Sequence, residues 1–385
     1  MILPPASPTI PLSLYIHIPW CIQKCPYCDF NSHTKPEIMP EHAYIDRLIE
    51  DLEAALPEVW GRRLISIFIG GGTPSVFSPK SIETLLFAIR ARMAFAGDIE
   101  ITMEVNPGTV DEARFRGFRA SGVNRLSIGV QSFDEQHLKN LGRIHDGATA
   151  KRAITSAYNA GFDNINIDLM HGLAKQSIPE ALEDLKLALS FKPKHLSWYQ
   201  LTIEPNTVFY KTPPVLATDD LLSDMQEAGW ALLAAHGFEH YEISAFSQDG
   251  YASTHNGNYW SFGDYLGIGA GAHSKISHVA TQTIQRYAKC KQPKDYLDRS
   301  KTFKTHLEIL QAENLPFEFM LNALRLKQTI PFELFEHHCF LNRAVLMPIL
   351  TTPIAQRLLR HDTKGFSLTP LGQRFANDAM ALFLT

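Results

Sequence analysis

Three of the five cysteines lie close together between Cys21 and Cys28, in a C-x3-C-x2-C array that follows an apolar, strand-like run. A four-iron four-sulfur cluster normally takes one thiolate per iron, so that Cys21, Cys25 and Cys28 would leave one iron without a protein ligand. Such an iron can bind a small molecule through an amine and a carboxylate, much as a catalytic zinc keeps one position open. The array therefore indicates a metal or cluster site.

Two plainer interpretations of the cysteines compete with a cluster. One is a zinc site with His17 or His33 as fourth ligand, and the other is a disulfide with one spare thiol. Structural zinc sites usually pair two short ligand motifs, and the chain has no second C-x2-C. The spacing, with Tyr27 directly before the last cysteine, resembles the radical S-adenosylmethionine signature, which implies a [4Fe-4S] cluster that cleaves S-adenosylmethionine to a 5'-deoxyadenosyl radical.

Composition excludes several classes of function. The 385 residues are 45% hydrophobic and 20% charged, which is typical of a globular protein. The net charge of -4 gives no sign of a basic surface for nucleic acid. The proline-rich start has no Lys or Arg, so we expect neither a secretory signal nor a transit peptide there. No apolar run is long enough to cross a bilayer. The number of cysteines is odd and three of the five are clustered, which favours a reducing compartment over a disulfide framework. We therefore expect a cytoplasmic protein in which Cys290 and Cys339 are structural thiols.

The elements that must position the cysteines follow an alternating pattern. The run 64–69 is short, β-branched and nearly all apolar, which is typical of a buried parallel strand. The other predicted strands are the run ending at Ile18, 99–105, 125–130, 164–170 and 195–203, with predicted helices at 41–56, from 79 onward, and at 111–120, 148–160, 178–189 and 218–235. Six strands alternating with helices predict right-handed βαβ units and a parallel sheet.

The α/β pattern fits a doubly wound sheet as well as a partial (β/α)6 barrel. We favour the barrel because most predicted strands end in an unusual residue or motif, as in barrels whose sites lie at the carboxyl ends of the strands. We divide the chain into a flexible N-terminus 1–13, a barrel 14–240, a connecting segment 241–300 and a C-terminal domain 301–385. The last is mostly helical, resembles a winged-helix module and has no excess of basic residues, which favours packing or docking over DNA binding.

The strand ends carry groups that can bind a ligand. Gly70, Gly71 and Gly72 with Thr73 follow the second predicted strand, where a backbone free of side chains can approach a ligand. The other groups are Glu104, Gln131 and Asp168 at strand ends, and Arg143 in the connection after the fourth strand. Taken alone, each of these residues is more often a helix cap or part of a surface ion pair than a ligand contact. Their common position indicates one site, in which carboxylates can accept from hydroxyls or an ammonium and arginine can clamp a carboxylate.

A second constellation is the motif H-N-x-x-Y-W from His255 to Trp260. Histidine is a common ligand of haem iron, and aromatic rings can stack on a flat macrocycle. Composition alone favours the alternative, a histidine satisfied by hydrogen bonds in a polar turn.

Together these motifs resemble the oxygen-independent coproporphyrinogen III oxidase family of radical S-adenosylmethionine proteins, from about Leu14 to the C-terminus. Within that family the closer match is a branch of haem chaperones. The oxidases carry a further cysteine where this chain has Phe30, carry a longer N-terminal arm, and lack the H-N-x-x-Y-W motif that the branch associates with haem. One departure is His171-Gly172-Leu173-Ala174, where relatives have Tyr-Gly-Leu-Pro.

The resemblance implies roles for individual residues. Cys21, Cys25 and Cys28 would bind the cluster, and His255 would bind haem with support from Asn256 and Tyr259. The implied contacts to S-adenosylmethionine are Tyr15, Tyr27, Gly71, Gly72, Thr73, Glu104, Gln131, Arg143 and Asp168.

The implied function is a haem chaperone that holds haem and passes it to an apo-haemoprotein. A membrane-associated acceptor and a homodimer are further expectations, and no nucleic-acid partner is expected. Two enzyme functions compete with the chaperone. One is coproporphyrinogen III decarboxylation, which Phe30 and the short N-terminus argue against. The other is a radical methyltransferase, for which the sequence names no acceptor.

Overall fold

The computed structural model describes residues 9–384. Its first half alternates strands and helices: β1 (Leu12–Ile18), β2 (Trp20–Cys21), β3 (His33–Thr34), α1 (Glu41–Ala55), β4 (Arg63–Gly71), α2 (Pro79–Arg90), β5 (Ala94–Val105), α3 (Glu112–Ser121), β6 (Arg125–Gln131), α4 (Glu135–Asn140), α5 (Gly147–Asn159), β7 (Asn164–His171), α6 (Ile178–Ser190), β8 (His195–Gln200), α7 (Val208–Lys211) and α8 (Asp219–Ala235).

The second half has shorter elements: β9 (Glu239–His240), β10 (Ala245–Ser247), α9 (Thr254–Trp260), β11 (Asp264–Ile268), β12 (His273–His278), β13 (Thr283–Lys289), α10 (Pro293–Leu297), β14 (Lys304–Ile309), α11 (Leu315–Ala323), β15 (Ile330–Pro331), α12 (Phe332–Cys339), α13 (Leu346–Ala355), β16 (Leu359–His361), β17 (Gly365–Leu368), α14 (Pro370–Arg374) and α15 (Ala376–Ala381).

Local signals set several helix starts. The Ser78 hydroxyl accepts from the backbone N–H of Ser81, and Pro79 occupies the first helical position, as predicted for α2. At α6, Ser177 and Glu180 form a capping box in which each side chain accepts from the other's backbone N–H.

Six parallel strands lie side by side in the order of the chain, β1-β4-β5-β6-β7-β8. A doubly wound sheet reverses its strand order at a switch point, whereas a barrel adds each new strand on the same side. The unreversed order therefore confirms the partial barrel.

The sheet extends beyond the six strands at both edges. β11 pairs parallel with β1, and β12, β13 and β14 continue antiparallel beyond it. At the other edge β10 pairs antiparallel with β8, and β9 pairs antiparallel with β10. The predicted connecting segment 241–300 thus supplies β10 to β13, and β14 continues the same sheet. Of the predicted flexible N-terminus 1–13, residues 1–8 lie outside the described residues, and β1 begins at Leu12.

Successive side chains of each barrel strand point to opposite faces. On β1, Leu14 and Ile16 join the buried core beneath the helices, while Tyr15 and His17 hydrogen-bond to each other on the other face. The inner faces of β4 to β8 carry many polar residues, among them Ser66, Glu100, Thr102, Glu104, Arg125, Ser127, Asn166, Asp168, His195 and Ser197. The interior of this barrel is therefore polar rather than filled with branched apolar layers.

Helix α9 lies across the end at which the barrel strands begin. The Glu100 carboxylate accepts from the backbone N–H groups of Thr254 at 3.0 Å and His255 at 3.1 Å, in the first turn of α9. Asn258 donates to the Ser13 hydroxyl of β1 at 2.9 Å. A carboxylate at a helix N-terminus satisfies free N–H groups and complements the helix dipole, which fixes α9 against the barrel.

The C-terminal domain has the succession helix, strand, helix, helix, strand, strand in α11 to β17, with an antiparallel sheet in the order β15-β17-β16. This is the winged-helix-like arrangement that the sequence predicts. Its own core includes Phe319, Phe335 and Leu350, and it continues onto Phe262 and Ile284 of the preceding segment. Across residues 9–384, no helix is both long and apolar enough to cross a membrane.

Candidate functional site

A cavity of about 280 Å³ lies where the barrel strands end. It brings together the three cysteines and all but one of the residues predicted to contact S-adenosylmethionine: Tyr27, Gly71, Gly72, Thr73, Glu104, Gln131, Arg143 and Asp168. The carboxyl ends of parallel strands share one edge, which is why groups distant in sequence converge there.

The cysteine loop forms one wall of the cavity. All five cysteines are free thiols, so the disulfide alternative does not hold; Cys21 is buried and Cys25 and Cys28 are half-buried. Among residues 9–384, no three His, Cys, Asp or Glu side chains are grouped to hold a single metal ion. In a four-iron cluster each thiolate binds a different iron, so the three thiolates of such a site do not converge on one metal ion.

The loop is anchored to the rest of the molecule by hydrogen bonds. Asn31 donates to the carbonyls of Ala270 at 2.9 Å and Lys291 at 2.8 Å, and its own carbonyl oxygen lies 2.9 Å from His17 Nε2. The backbone N–H of Lys35 donates to the Cys21 carbonyl at 2.8 Å. The cysteines therefore sit on a loop held by both the barrel and the turn after β11.

The glycine turn packs directly beneath the cysteine loop. Gly71 has φ +107°, and a Cβ atom there would lie 2.5 Å from the His17 ring; one at Gly72 would lie 2.7 Å from the Trp20 carbonyl oxygen. The N–H groups of Gly72 and Thr73 donate to the Ile18 and Trp20 carbonyls at 2.7 and 2.8 Å. The glycines are thus required for close approach of two backbone segments.

Two carboxyl groups, those of Glu104 and Asp168, line the cavity. Burial, followed by the charge of Asp168, raises the pKa of Glu104 to about 8, and Glu104 accepts from the Gly71 N–H at 3.1 Å. Burial also raises the pKa of Asp168, although Ser127 and Asn166 each donate to it at 2.8 Å. The pair can accept from hydroxyl groups or hold an ammonium group.

Arg143 reaches the cavity from the connection after β6. Its guanidinium donates to the Gly129 carbonyl at 2.6 Å and lies 3.5 Å from both Cys25 Sγ and the Tyr27 hydroxyl. Its buried Nε has no hydrogen-bond partner in the described chain. A guanidinium that lines the cavity beside the cysteines can bind a carboxylate group.

Gln131 ends β6 with φ +72° and accepts from the Tyr199 hydroxyl at 2.6 Å. Tyr199, Ser127 and Asn106 also line the cavity and were not predicted. The signal for Tyr199 was available, because it lies near the end of the sixth barrel strand as the predicted groups do on theirs.

Tyr15 is the predicted contact that does not line the cavity. Its hydroxyl lies 2.9 Å from His17 Nδ1, and burial, followed by the charge of Glu104, raises its pKa above the usual range. On β1 it precedes His17 by two residues, so both side chains point into the barrel. Tyr15 therefore lies beneath the cavity and does not form part of its wall.

His255 lies on α9, at the opposite end of the strands from the cysteines. It is 3% exposed, its Nδ1 lies 2.9 Å from the Ser66 hydroxyl, and its Nε2 has no partner among the described residues. Burial, followed by the charge of Arg125, lowers its pKa to about 3, so the ring is neutral. The Tyr259 ring lies 5.3 Å from it and stacks on Tyr265, while Asn256 is half-buried.

Comparisons with known proteins show the family and the fold of the chain. The Radical SAM superfamily model matches residues 15–185, and the HemN C-terminal domain model matches residues 310–375. A protein of Escherichia coli named heme chaperone HemW is 48% identical over 97% of this chain and 98% of its own length; one of Haemophilus influenzae with the same name is 46% identical with the same coverage. The structure of coproporphyrinogen III oxidase from Escherichia coli aligns with a TM-score of 0.82 at 24% identity, covering 98% of this chain and 91% of that one, which shows a common fold.

Proposed function

Because this chain belongs to the heme chaperone HemW family of radical S-adenosylmethionine proteins, we propose that it binds haem and delivers it to an apo-haemoprotein. The observation that carries the proposal is the likeness to relatives of that name over nearly the whole of both chains. The presence of Phe30 at the position of the oxidases' further cysteine supports it.

The cavity at the strand ends fits a [4Fe-4S] cluster and S-adenosylmethionine. Cys21, Cys25 and Cys28 would hold the cluster, which in its reduced state would supply the electron that cleaves S-adenosylmethionine. The predicted contacts to S-adenosylmethionine stay a proposal, supported by their convergence in one cavity. Arg143 would hold a carboxylate through its guanidinium, and Glu104 and Asp168 would accept from hydroxyl or ammonium groups.

Tyr15 has a different role in this proposal. It would hold His17 in place, and His17 in turn lies against the Asn31 carbonyl of the cysteine loop. It orients the loop without touching the ligand.

His255, with Asn256 and Tyr259, remains the proposed haem-binding group that the resemblance implies. The free Nε2 of a neutral imidazole supports a role as iron ligand. Since the ring is buried against the barrel, haem would reach it after α9 moves away from β4.

The test is a haemin titration of the purified chain, followed by its Soret band. We expect specific binding by wild type and by a variant with Cys21, Cys25 and Cys28 all changed to serine. His255→Ala should lose part of the band, and His42→Ala, which changes an exposed histidine on α1, should not. No specific band in wild type would overturn the proposed function, and an unchanged His255→Ala would overturn that ligand assignment.

The receiving partner is proposed by its chemistry alone: an apo-haemoprotein, with association at a membrane as a further expectation. A homodimer and a cytoplasmic location are further proposals, which rest on the sequence alone. A pull-down with haem-loaded chain as bait, compared with haem-free chain, tests whether an apo-haemoprotein is the partner.

A further inference from the structure

The large sheet ends at β14 (Lys304–Ile309), which pairs with β13 alone and has no strand on its other side within residues 9–384. Every residue from Thr305 to Ile309 is exposed, and the apolar Leu307 and Ile309 are 57% and 53% exposed. The strand at the opposite edge, β9, has only two residues. A free edge of this length offers unpaired N–H and C=O groups to a strand of another chain.

The pairing with β13 identifies the backbone groups that are free. The Leu310 N–H donates to the Ile284 carbonyl at 2.9 Å, so in an antiparallel ladder Glu308 and His306 also turn their backbone groups toward β13. The N–H and C=O of Leu307, between them, point to the open side. The open edge is therefore centred on Leu307.

The side chains of this edge are complementary to themselves. Leu307 and Ile309 project from one face of β14, and His306 and Glu308 project from the other. If β14 paired antiparallel with a copy of itself about Leu307, the two leucines would lie opposite each other, and each Glu308 would lie opposite a His306. Apolar pairs and acid–base pairs directly across two strands stabilise a sheet.

Neighbouring charges leave Glu308 and His306 available for such a contact. The cation opposite Glu308 on β13, Arg286, is paired with Glu318, and no ion pair within residues 9–384 involves Glu308 or His306. A register shifted by one residue would set Lys304 opposite Glu308 instead. Lys304 is already paired with Glu58 and lies beyond the point where the β13–β14 register shifts.

We propose that β14 is the interface of a homodimer, in which it pairs antiparallel with β14 of a second copy about a two-fold axis at Leu307. The two sheets then continue into one, and the two-fold axis makes each Glu308–His306 contact twice. This inference does not rest on haem binding. It assigns a surface to the homodimer, for which the sequence indicates none.

The proposed interface lies next to the residues that anchor the cysteine loop. Just before β14 begins, the Phe303 carbonyl accepts from the Cys290 N–H at 3.0 Å, and the carbonyl of the following residue, Lys291, accepts from Asn31 of the cysteine loop at 2.8 Å. Antiparallel pairing brings the Ile309 end of the second copy to this end of β14. The dimer is therefore best measured with the cluster in place.

The experiment is anaerobic sedimentation velocity of the cluster-loaded chain over a series of concentrations. Wild type should dimerise. Leu307→Lys sets two ammonium groups opposite each other, and Leu307→Pro removes an N–H on the open side without removing a bond to β13. Each variant should raise the Kd of the dimer at least tenfold. Leu371→Lys, at a 44% exposed leucine on α14, is the matched control and should leave the Kd unchanged.

A charge exchange tests the register. His306→Glu sets carboxylates opposite each other and should weaken the dimer, and Glu308→Lys added to it should restore the dimer by pairing Lys with Glu. Failure of the double variant to restore the dimer overturns the register about Leu307.

Two outcomes overturn the interface itself. One is wild type that stays monomeric throughout the series, and the other is a dimer whose Kd is unchanged in both Leu307 variants. Neither outcome bears on the proposed haem function, which the haemin titration tests separately.

Discussion

Glu104 and Asp168 show how neighbouring residues in a cavity alter each other's chemistry. Two carboxyl groups near one another cannot both ionise cheaply, and removal from water adds to the cost. With burial as the larger cause, the pKa of Glu104 rises to about 8, so near neutral pH this group keeps its proton while the cavity is empty. An ammonium group entering the cavity would favour loss of that proton.

This shift predicts an unusual dependence of stability on pH. In the unfolded chain the pKa of Glu104 takes its ordinary value of 4.5, whereas in the folded chain it is about 8. Between these values the unfolded state binds fewer protons, so the contribution of Glu104 to the free energy of unfolding falls as pH rises from 4.5 to about 8. Glu104→Gln should remove this fall and be more stable than wild type at pH 8 by about 2–4 kcal/mol.

Urea unfolding of the reduced, metal-free chain between pH 5 and 8.5 measures the effect. Glu83→Gln, at a 53% exposed side chain on α2, is the matched control and should follow wild type. Asp168→Asn removes the neighbouring charge but not the burial, so it should move the upper end of the window below pH 8. If the free energy of unfolding depended on pH in the same way for wild type and Glu104→Gln, the raised pKa assigned to Glu104 would be wrong.

At the scale of elements, the turn after β4 connects the barrel to the cysteine loop. Its glycines are needed because backbone from two segments meets there, with the His17 ring directly against Gly71. Any side chain would push the loop away from the strand ends, and the cysteines with it.

Gly71→Ala should therefore destabilise the chain by about 1–3 kcal/mol, from strain at positive φ and the contact with His17. It should also lower the iron bound after anaerobic reconstitution. Gly97→Ala in β5 is the control, because a Cβ there meets nothing within 4 Å. Urea midpoints and iron content of the two variants give the comparison, and equal values would show that the turn tolerates a side chain.

At the scale of the whole molecule, the barrel separates the two groups of proposed site residues. The cysteines and their neighbours lie where the strands end, while α9 and His255 lie where they begin. The fold is shared with coproporphyrinogen III oxidase, but 24% identity carries no activity with it.

We accordingly predict that the cluster-loaded chain does not decarboxylate coproporphyrinogen III. Anaerobic incubation with S-adenosylmethionine and a reductant, with porphyrins analysed after oxidation, should give no protoporphyrin above a no-enzyme blank. An authentic oxidase in parallel is the positive control. Formation of protoporphyrinogen by this chain would overturn the preference for a chaperone over an enzyme.

The sequence by itself determined the cysteine array, the glycine turn and the groups at the strand ends. These features are local, and the rule that parallel strands place their carboxyl ends at one edge suffices to bring them together. It also determined the α/β class, because the alternation of strands and helices leaves few topologies.

The tertiary structure alone decided where the remaining groups lie. Pairing of β11 with β1 carries the segment 241–300 into the sheet, and the bonds from Glu100 then place His255 at the far end of the barrel from the cysteines. It also set Tyr15 below the cavity, with its hydroxyl against the His17 ring. Long-range pairing and packing of this kind join residues far apart in the chain, so no local spacing or periodicity reveals them.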